Sequence, residues 1–461
     1  MMFKKLLPLE IQKYLAMSKR QRQYELSLTL WYMPLVYIGV ALLLVALTLY
    51  LDLRLEISNY VGSFFHAKAQ PTRLLVSALI GGILTLSAFT LNSVLVVLTT
   101  FSGQFSPRML LNFISDRITQ HILGIFHGSF VYVLVVFLFI TSKPEEYFVA
   151  VPSMTVLLAF LSAVTFIFFI NHATSWMQVH NITYNMKNES KSIIKQSLKD
   201  ELERYRVVKP GNMLEDYRNH EKLALSPQSG YVQWFNFRKM LEEARKDDIV
   251  IQLYNKVGDY TLKNNRLFSY WGPGAEQIDV AKYCSLIEIG YKETEIQDIK
   301  MGMNKLTEIA IKSLGNDDPK TTITTIHQMA DLLLAVEGDI TFTPYLADKN
   351  NQTRIVMASE DFNYYLYRGF GYIRHYAGDN YLIITEIILA LSMIAQSINS
   401  DKLETIWEFS RNTIDHIPTE FIYDLDRDYL LEKLYHLALF TDHEEDYYTV
   451  ERRLLKIEEQ I

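Results

Sequence analysis

The pattern of hydrophobic positions changes near residue 170. Before this point, long apolar runs alternate with short polar loops; after it, apolar residues recur at the spacings of soluble helices and strands. Four of the runs, at 28–51, 74–100, 122–141 and 148–170, are long enough to cross a bilayer as helices. The pattern therefore predicts four transmembrane helices followed by a soluble part.

Within the soluble part the pattern first follows the strand period and then the helix period. Residues 231–235 and 249–254 have strand patterns, and Gly258-Asp259 marks a turn. These features predict a small β-barrel-like module, which resembles the barrel of biotinyl and lipoyl carrier domains without their Met-Lys attachment motif. From about residue 276 onward the apolar spacing predicts helices. The predicted helices are 279–290, 293–314, 319–336, 360–377, 381–399, 402–417, 428–439 and 444–461.

We therefore expect an α-helical integral membrane protein whose soluble part has a β module and a helical C-terminal half. The expected parts are an N-terminal cytoplasmic helix (1–27), a four-helix transmembrane domain (28–172), a linker helix and loop (173–222), the β module (223–273) and a helical cytoplasmic domain (274–461).

The distribution of lysine and arginine predicts the orientation. Positive charge is concentrated in the N-terminal tail, in the loop between the second and third runs, and after the fourth run. Loops rich in lysine and arginine stay in the cytoplasm. We therefore expect a multi-pass membrane protein, in contact with the lipid bilayer, with both termini in the cytoplasm.

Composition and motifs exclude several function classes. A formal net charge of −7 argues against a general nucleic-acid binder. The single cysteine, Cys284, excludes an intrachain disulfide and a cysteine-based zinc site. The sequence has no phosphate loop, nucleophile elbow or paired zinc ligands. We expect neither catalytic activity nor a bound cofactor or metal, although His172 and His180 leave a metal site as the alternative to interfacial histidines.

A polar stripe precedes and enters the third apolar run and is the strongest site candidate. Its residues are Arg108, Asn112, Asp116, Arg117, Gln120 and His121. Charged side chains at membrane depth are costly and usually functional. One interpretation places the stripe at the mouth of a pore that several copies share. The other places it on a cytoplasmic helix that docks on the soluble part.

Two glycines in the third run, Gly124 and Gly128, form a GxxxG pattern. Small residues at this spacing let transmembrane helices approach closely. The pattern predicts close helix packing within the chain, with dimerisation as the alternative.

Several stretches together point to a family. They are FSPRMLLNFISDRITQHILGIFHGSFVY, SGYVQWFNFRKMLEEA, VGDYTLKNNRLF and FNYYLYRGFGYIRHYAGDN. With them the chain resembles a bacterial family of uncharacterised predicted membrane proteins, known as a domain of unknown function. The resemblance implies an inner-membrane protein with four spans and a cytoplasmic domain, and it brings no known substrate.

Two functional hypotheses follow. The first is a homo-oligomeric channel or pore-like protein whose cytoplasmic domain regulates it. The alternative is a membrane-anchored scaffold or sensor whose cytoplasmic domain binds a protein or a small ligand.

Overall fold

The structure is a computed structural model that describes residues 29, 31–104, 116–140, 147–195, 202–293, 299–418 and 423–455. The chain folds as two compact units, Met1–Gln178 and Val179–Ile461. The predicted N-terminal helix at 1–27 lies outside the described residues.

The first unit contains the apolar helices that the sequence predicts. They are α1 (Tyr32–Leu53), α2 (Ala69–Gln104), α3 (Arg117–Phe139) and α4 (Ala150–Trp176). Within the described residues, these four helices are long and apolar enough to cross a membrane. The four predicted spans are confirmed, and the fourth continues six residues beyond its predicted end at residue 170.

The outer surface of this unit is apolar, as contact with lipid requires. Large hydrophobic side chains such as Leu43, Leu138, Phe160 and Ile167 are exposed. The interior contains a hydrophobic cluster that includes Val76 and Val136. Because soluble proteins rarely expose so many large apolar residues together, this surface is the part of the molecule that contacts the bilayer.

A short strand pair joins two connections at one end of this unit. Strand β1 (Ala67–Lys68) pairs antiparallel with β2 (Tyr147–Phe148). The pair ties the connection between α1 and α2 to the connection between α3 and α4, and so holds the first turn of α4 beside the end of α1.

The second unit begins with helix α5 (Val179–Ile193) and continues into mixed structure. Its strands are β3 (Lys222–Leu225), β4 (Gly230–Phe235), β5 (Val250–Leu253), β6 (Tyr260–Thr261), β7 (Arg266–Trp271), β8 (Ile287–Gly290), β9 (Tyr345–Ala347) and β10 (Thr353–Val356). Two short helices lie between them, α6 (Phe237–Lys246) and α7 (Val280–Cys284).

The strands form two small open sheets, so the predicted barrel-like module is wrong. One sheet has the order β3-β7-β5-β10-β9 and the other the order β6-β4-β8. Strand β10, about 100 residues after β5, pairs with it in parallel, with Ile355 beside Ile251. A local β module of residues 223–273 cannot supply that partner. The segment predicted as helix 279–290 also divides into α7 and strand β8.

The remaining helices complete the second unit. They are α8 (Ile299–Gly315), α9 (Pro319–Asp339), α10 (Phe362–Leu366), α11 (Tyr372–Ala377), α12 (Tyr381–Ala395), α13 (Leu403–Asp415), α14 (Asp424–Thr441) and α15 (Glu444–Leu454). A π-helical turn, Tyr367–Gly371, joins α10 to α11.

Capping residues explain where several of these helices begin. The Asp318 carboxylate accepts a hydrogen bond from the Thr321 backbone N–H, and Pro319 occupies the first turn of α9. The Asn380 side chain accepts from the Ile383 backbone N–H in the same way at the start of α12. The predicted start of a helix at residue 319 is confirmed.

Candidate functional site

A cluster of polar side chains lies between α3 and α4 at the end of the bundle where α3 begins. Asp116 caps α3 by accepting a hydrogen bond from the Thr119 backbone N–H at 2.9 Å. The same carboxylate lies 2.9 Å from Nε2 of His172 on α4. The Thr119 hydroxyl lies 3.2 Å from both the Asp116 carboxylate and His172 Nε2. These three side chains form one connected group. Trp176 packs edge-on against its histidine, His172.

The surroundings of Asp116 favour its ionised form. Burial raises the pKa of this carboxyl, but the hydrogen bonds from His172 and from the Thr119 backbone N–H, together with the charge of His172, lower it by more. The net result is a pKa below the ordinary value. Asp116 therefore places a negative charge beside the imidazole of His172.

The structure divides the predicted stripe among several faces of α3. Asp116 and Gln120 turn inward, and Gln120 is buried. Arg117 is exposed, so it does not join this cluster. His121 lies on the side of α1, where its Nδ1 is 3.0 Å from the Tyr37 hydroxyl. The other two predicted stripe residues, Arg108 and Asn112, lie outside the described residues.

The two glycines of the GxxxG pattern contact Tyr37 of the same chain. A Cβ built on Gly124 would lie 2.4 Å from Cδ2 of Tyr37, and one on Gly128 would lie 3.1 Å from the Tyr37 carbonyl oxygen. The two glycines therefore form the surface on which α1 packs against α3. This is the packing within the chain that the sequence predicts.

A second acidic residue is buried at the opposite end of the bundle. Asp52, in the last turn of α1, is only 6% exposed. Its carboxylate accepts hydrogen bonds from the backbone N–H groups of Val149, Ala150 and Val151, at 3.1, 2.8 and 2.8 Å. These are among the first N–H groups of α4, which have no acceptor within their own helix. The carboxylate therefore satisfies the start of α4 and faces the positive end of its dipole.

Buried hydroxyl groups lie between the two acidic residues. The Tyr132 hydroxyl of α3 donates to the Thr48 hydroxyl of α1 at 3.1 Å and lies within reach of Thr155 on α4. Nearer the middle of the bundle, Ser129 and Ser162 are buried, and neither hydroxyl has a hydrogen-bond partner within the described part of the chain.

The helix register places these two serines at one level. Thr119 and His172 meet across the antiparallel helices α3 and α4. Ser129 lies ten residues after Thr119, and Ser162 lies ten residues before His172. At a rise of about 1.5 Å per residue, both serines are therefore about 15 Å from the Asp116 cluster. Polar groups thus occur at both ends and in the middle of the same bundle.

The sequence pattern did not identify several of these residues. Asp52 was unassigned because it follows a span without any local motif, and its partners lie almost 100 residues later. Tyr37 lies near one end of the first apolar run, where the pattern alone indicates an aromatic residue of the membrane interface. Its true contact is visible only once α1 and α3 are packed together.

The sequence profile of a family described as predicted membrane protein (DUF2254) matches residues 27–393. Two curated relatives are the uncharacterized proteins Rv1290c of Mycobacterium tuberculosis (strain ATCC 25618 / H37Rv) and Mb1321c of Mycobacterium bovis (strain ATCC BAA-935 / AF2122/97). Each is 26% identical over 309 residues, which cover 64% of this chain. The match covers 58% of each relative's own length. No solved structure matches the chain.

Proposed function

The chain belongs to the DUF2254 family of predicted membrane proteins, and we propose that it carries protons across a membrane through the interior of its four-helix bundle. The observation that supports this proposal is the series of buried polar groups between Asp116 and Asp52. Buried ionisable groups in a membrane bundle are costly, and proton relays are one function that retains them.

The path has three levels. His172 and Asp116 form the first, where a proton moves between the imidazole and water at the end of α3. The unpartnered hydroxyls of Ser129 and Ser162 form the second, and water molecules bound to them bridge to the neighbouring levels. Tyr132, with Thr48 at the Asp52 end, forms the third.

This path differs from the shared pore that the sequence suggests. A pore between copies needs the stripe on an outward-facing surface, whereas Asp116 hydrogen-bonds within a single bundle. The glycine surface of α3 is likewise occupied by Tyr37 of the same chain. The proposal therefore requires one bundle for each path, whatever the number of copies in the assembled protein.

Proton flux into liposomes tests the proposal. The purified full chain is reconstituted with a pH-sensitive dye inside, and a potassium gradient with valinomycin supplies the driving force. We expect faster acidification than in empty liposomes, and loss of that flux in Asp116→Asn and in His172→Gln. Arg117→Gln is the matched control, because Arg117 is next to Asp116 but exposed. Equal rates in protein-containing and empty liposomes would refute the proposal.

A second pair of variants tests the middle level. Ser162→Ala removes a buried hydroxyl that has no partner in the described chain, whereas Ser153→Ala removes an exposed one that bonds to the Val149 carbonyl. We expect only Ser162→Ala to slow the flux. A flux that is the same in both variants would show that protons do not pass through this part of the bundle.

A further inference from the structure

The second unit contains a large cavity among its C-terminal helices. Its volume is about 630 Å³, within the range of small-molecule sites. The π-helical turn, α11, the first turns of α12, and the end of α13 surround it. None of these elements belongs to the four-helix bundle, so a site here is independent of the proposed proton path.

Arg374 lines this cavity and hydrogen-bonds to neutral groups. Its Nη1 donates to the Asn412 side-chain oxygen at 3.2 Å and to the Thr413 hydroxyl at 3.1 Å, both neutral acceptors. Its guanidinium lies 4.4 Å from the centre of the Phe409 ring. Within the described residues, no carboxylate forms an ion pair with it.

The lack of an anionic partner for Arg374 matters because the guanidinium is half-buried. Burial lowers the pKa of the Arg374 guanidinium, because part of the group is removed from water. An arginine nevertheless stays protonated in a protein, so the positive charge remains. Half-buried arginines are usually paired with a carboxylate or a phosphate. Here Arg374 lines a cavity and has no carboxylate paired with it in the described residues.

The other lining residues add imidazole and aromatic groups. His375 and His416 are exposed, and the bond of His416 Nδ1 to the Asn412 carbonyl leaves its Nε2 available to a ligand. Tyr367 and Tyr372 are 52% and 41% exposed, with ring centres 6.3 Å apart. The lining includes one acidic residue, Asp379. Positive charge and exposed aromatic faces therefore occur together.

We infer that this cavity binds a soluble organic phosphate that carries an aromatic ring, of the size of a nucleoside monophosphate. Arg374 binds the phosphate, because a planar guanidinium matches two phosphate oxygens. His375, and His416 in its imidazolium form, donate further hydrogen bonds to it. The faces of Tyr367 and Tyr372 contact the ring. Such a site would make the second unit a ligand-binding part of a membrane protein, as the sensor hypothesis requires.

Calorimetric titration of the purified full chain in detergent tests this inference. The probes are adenosine 5′-monophosphate, glycerol 3-phosphate, inorganic phosphate and adenosine. We expect the nucleotide to bind most tightly, since it has both the phosphate and the ring. Failure of all four probes to bind, or equal binding of the nucleotide and adenosine, would overturn the inference.

Variants then assign the binding to the cavity. Arg374→Gln removes the charge, and we expect it to weaken nucleotide binding at least about tenfold. Arg411→Gln is the control, because Arg411 is on the same helix α13 as Asn412 but pairs with Asp415 and Asp446. Equal weakening in both variants, or in neither, would contradict the assignment.

Two further measurements keep the test decisive. Loss of the near-ultraviolet circular dichroism signal would show that Arg374→Gln does not fold. In that case the exposed residues His375 and Tyr372 are substituted in its place. Unchanged nucleotide affinity in both His375→Gln and Tyr372→Ala overturns the inference. Phosphatidic acid offers the same phosphate group on a lipid. Displacement of the nucleotide by equimolar phosphatidic acid would identify a lipid headgroup as the occupant and exclude the soluble ligand.

Discussion

The ring of Tyr37 on α1 packs directly on Gly124 of α3, where a Cβ would lie 2.4 Å from the ring carbon Cδ2. The hydroxyl of the same tyrosine lies 3.0 Å from His121 Nδ1 on α3. One side chain thus combines tight packing between two transmembrane helices with a polar contact between them. Because its hydroxyl is held in this way, the ring cannot move aside freely.

The first prediction concerns this contact. We expect Gly124→Ala to destabilise the bundle by about 1–3 kcal/mol, since the added methyl group overpacks the interface with α1. The apparent melting temperature of the detergent-solubilised protein measures the effect. Gly81→Ala in α2 is the control, because a Cβ there has no neighbouring atom within 4 Å. Equal melting temperatures for the two variants would disprove the tight contact.

A second prediction concerns the acidic residue in the last turn of α1. Asp52→Ala leaves three backbone N–H groups of α4 without their acceptor, and we expect a loss of at least about 2 kcal/mol. Thermal unfolding in detergent again provides the measurement. Glu56→Ala removes an exposed carboxylate four residues later and should change stability far less. A similar loss in both variants would argue against a specific role for Asp52.

A third prediction concerns an ion pair between α5 and α9. The Asp331 carboxylate lies 2.8 Å from Lys187 Nζ and 2.7 Å from Lys191 Nζ. Asp331 is itself partly exposed, which limits each pair to about 1 kcal/mol or less. Because Asp331→Asn also leaves the buried Lys187 without its carboxylate, we expect a larger loss than for Glu408→Gln, an exposed carboxyl on α13. Comparison of the two melting temperatures tests this.

The same carboxyl makes stability depend on pH. Burial raises the pKa of Asp331, but hydrogen bonds from the two lysines lower it by more, so the folded value lies below the ordinary 3.8. Since the unfolded state binds the proton more tightly, the stabilisation is complete above the ordinary value and is lost as pH falls through the folded value. The difference in melting temperature between wild type and Asp331→Asn should therefore begin to shrink below about pH 4 and disappear once the pH is below the folded pKa. A difference that persists in acid would contradict this explanation.

A fourth prediction concerns a buried arginine on strand β10. Arg354 donates to Asp348 at 3.1 Å and to Asp248 at 2.8 Å, and Asp348 is almost fully buried. Arg354→Gln leaves that carboxylate buried without a cation, so we expect a loss of about 3–5 kcal/mol. Arg238→Gln removes an exposed arginine whose partner is Glu242, and its effect should stay within about 0.5 kcal/mol. Chemical denaturation of both variants makes the comparison.

The membrane helices were predictable because their signal is local. A run of about 20 apolar residues satisfies its backbone within the helix, so composition alone indicates the element. Helices α9 and α12 were predictable for a similar reason, since their apolar period and their capping residues lie in the same stretch of chain.

The sheet was not predictable because its order depends on distant residues. The β5 pattern indicates a strand, but its parallel partner β10 follows two long helices. The turn signal at Gly258-Asp259 suggests a closed local module, whereas the long-range pairing opens it into a larger sheet. The candidate site has the same limitation: the third run indicates Asp116, but its partner His172 is 56 residues away.

The contact between Asp52 and α4 also affects how the protein is made. The ribosome completes α1 about 100 residues before the N–H groups that Asp52 binds have been synthesised. Until then the Asp52 carboxylate, at the end of α1, has none of these donors. The first N–H groups of α4 likewise need Asp52, because they have no acceptor within their own helix. The Asp52 carboxylate therefore acquires these donors only when α4 is in place, and a nascent chain that stops after α3 lacks them.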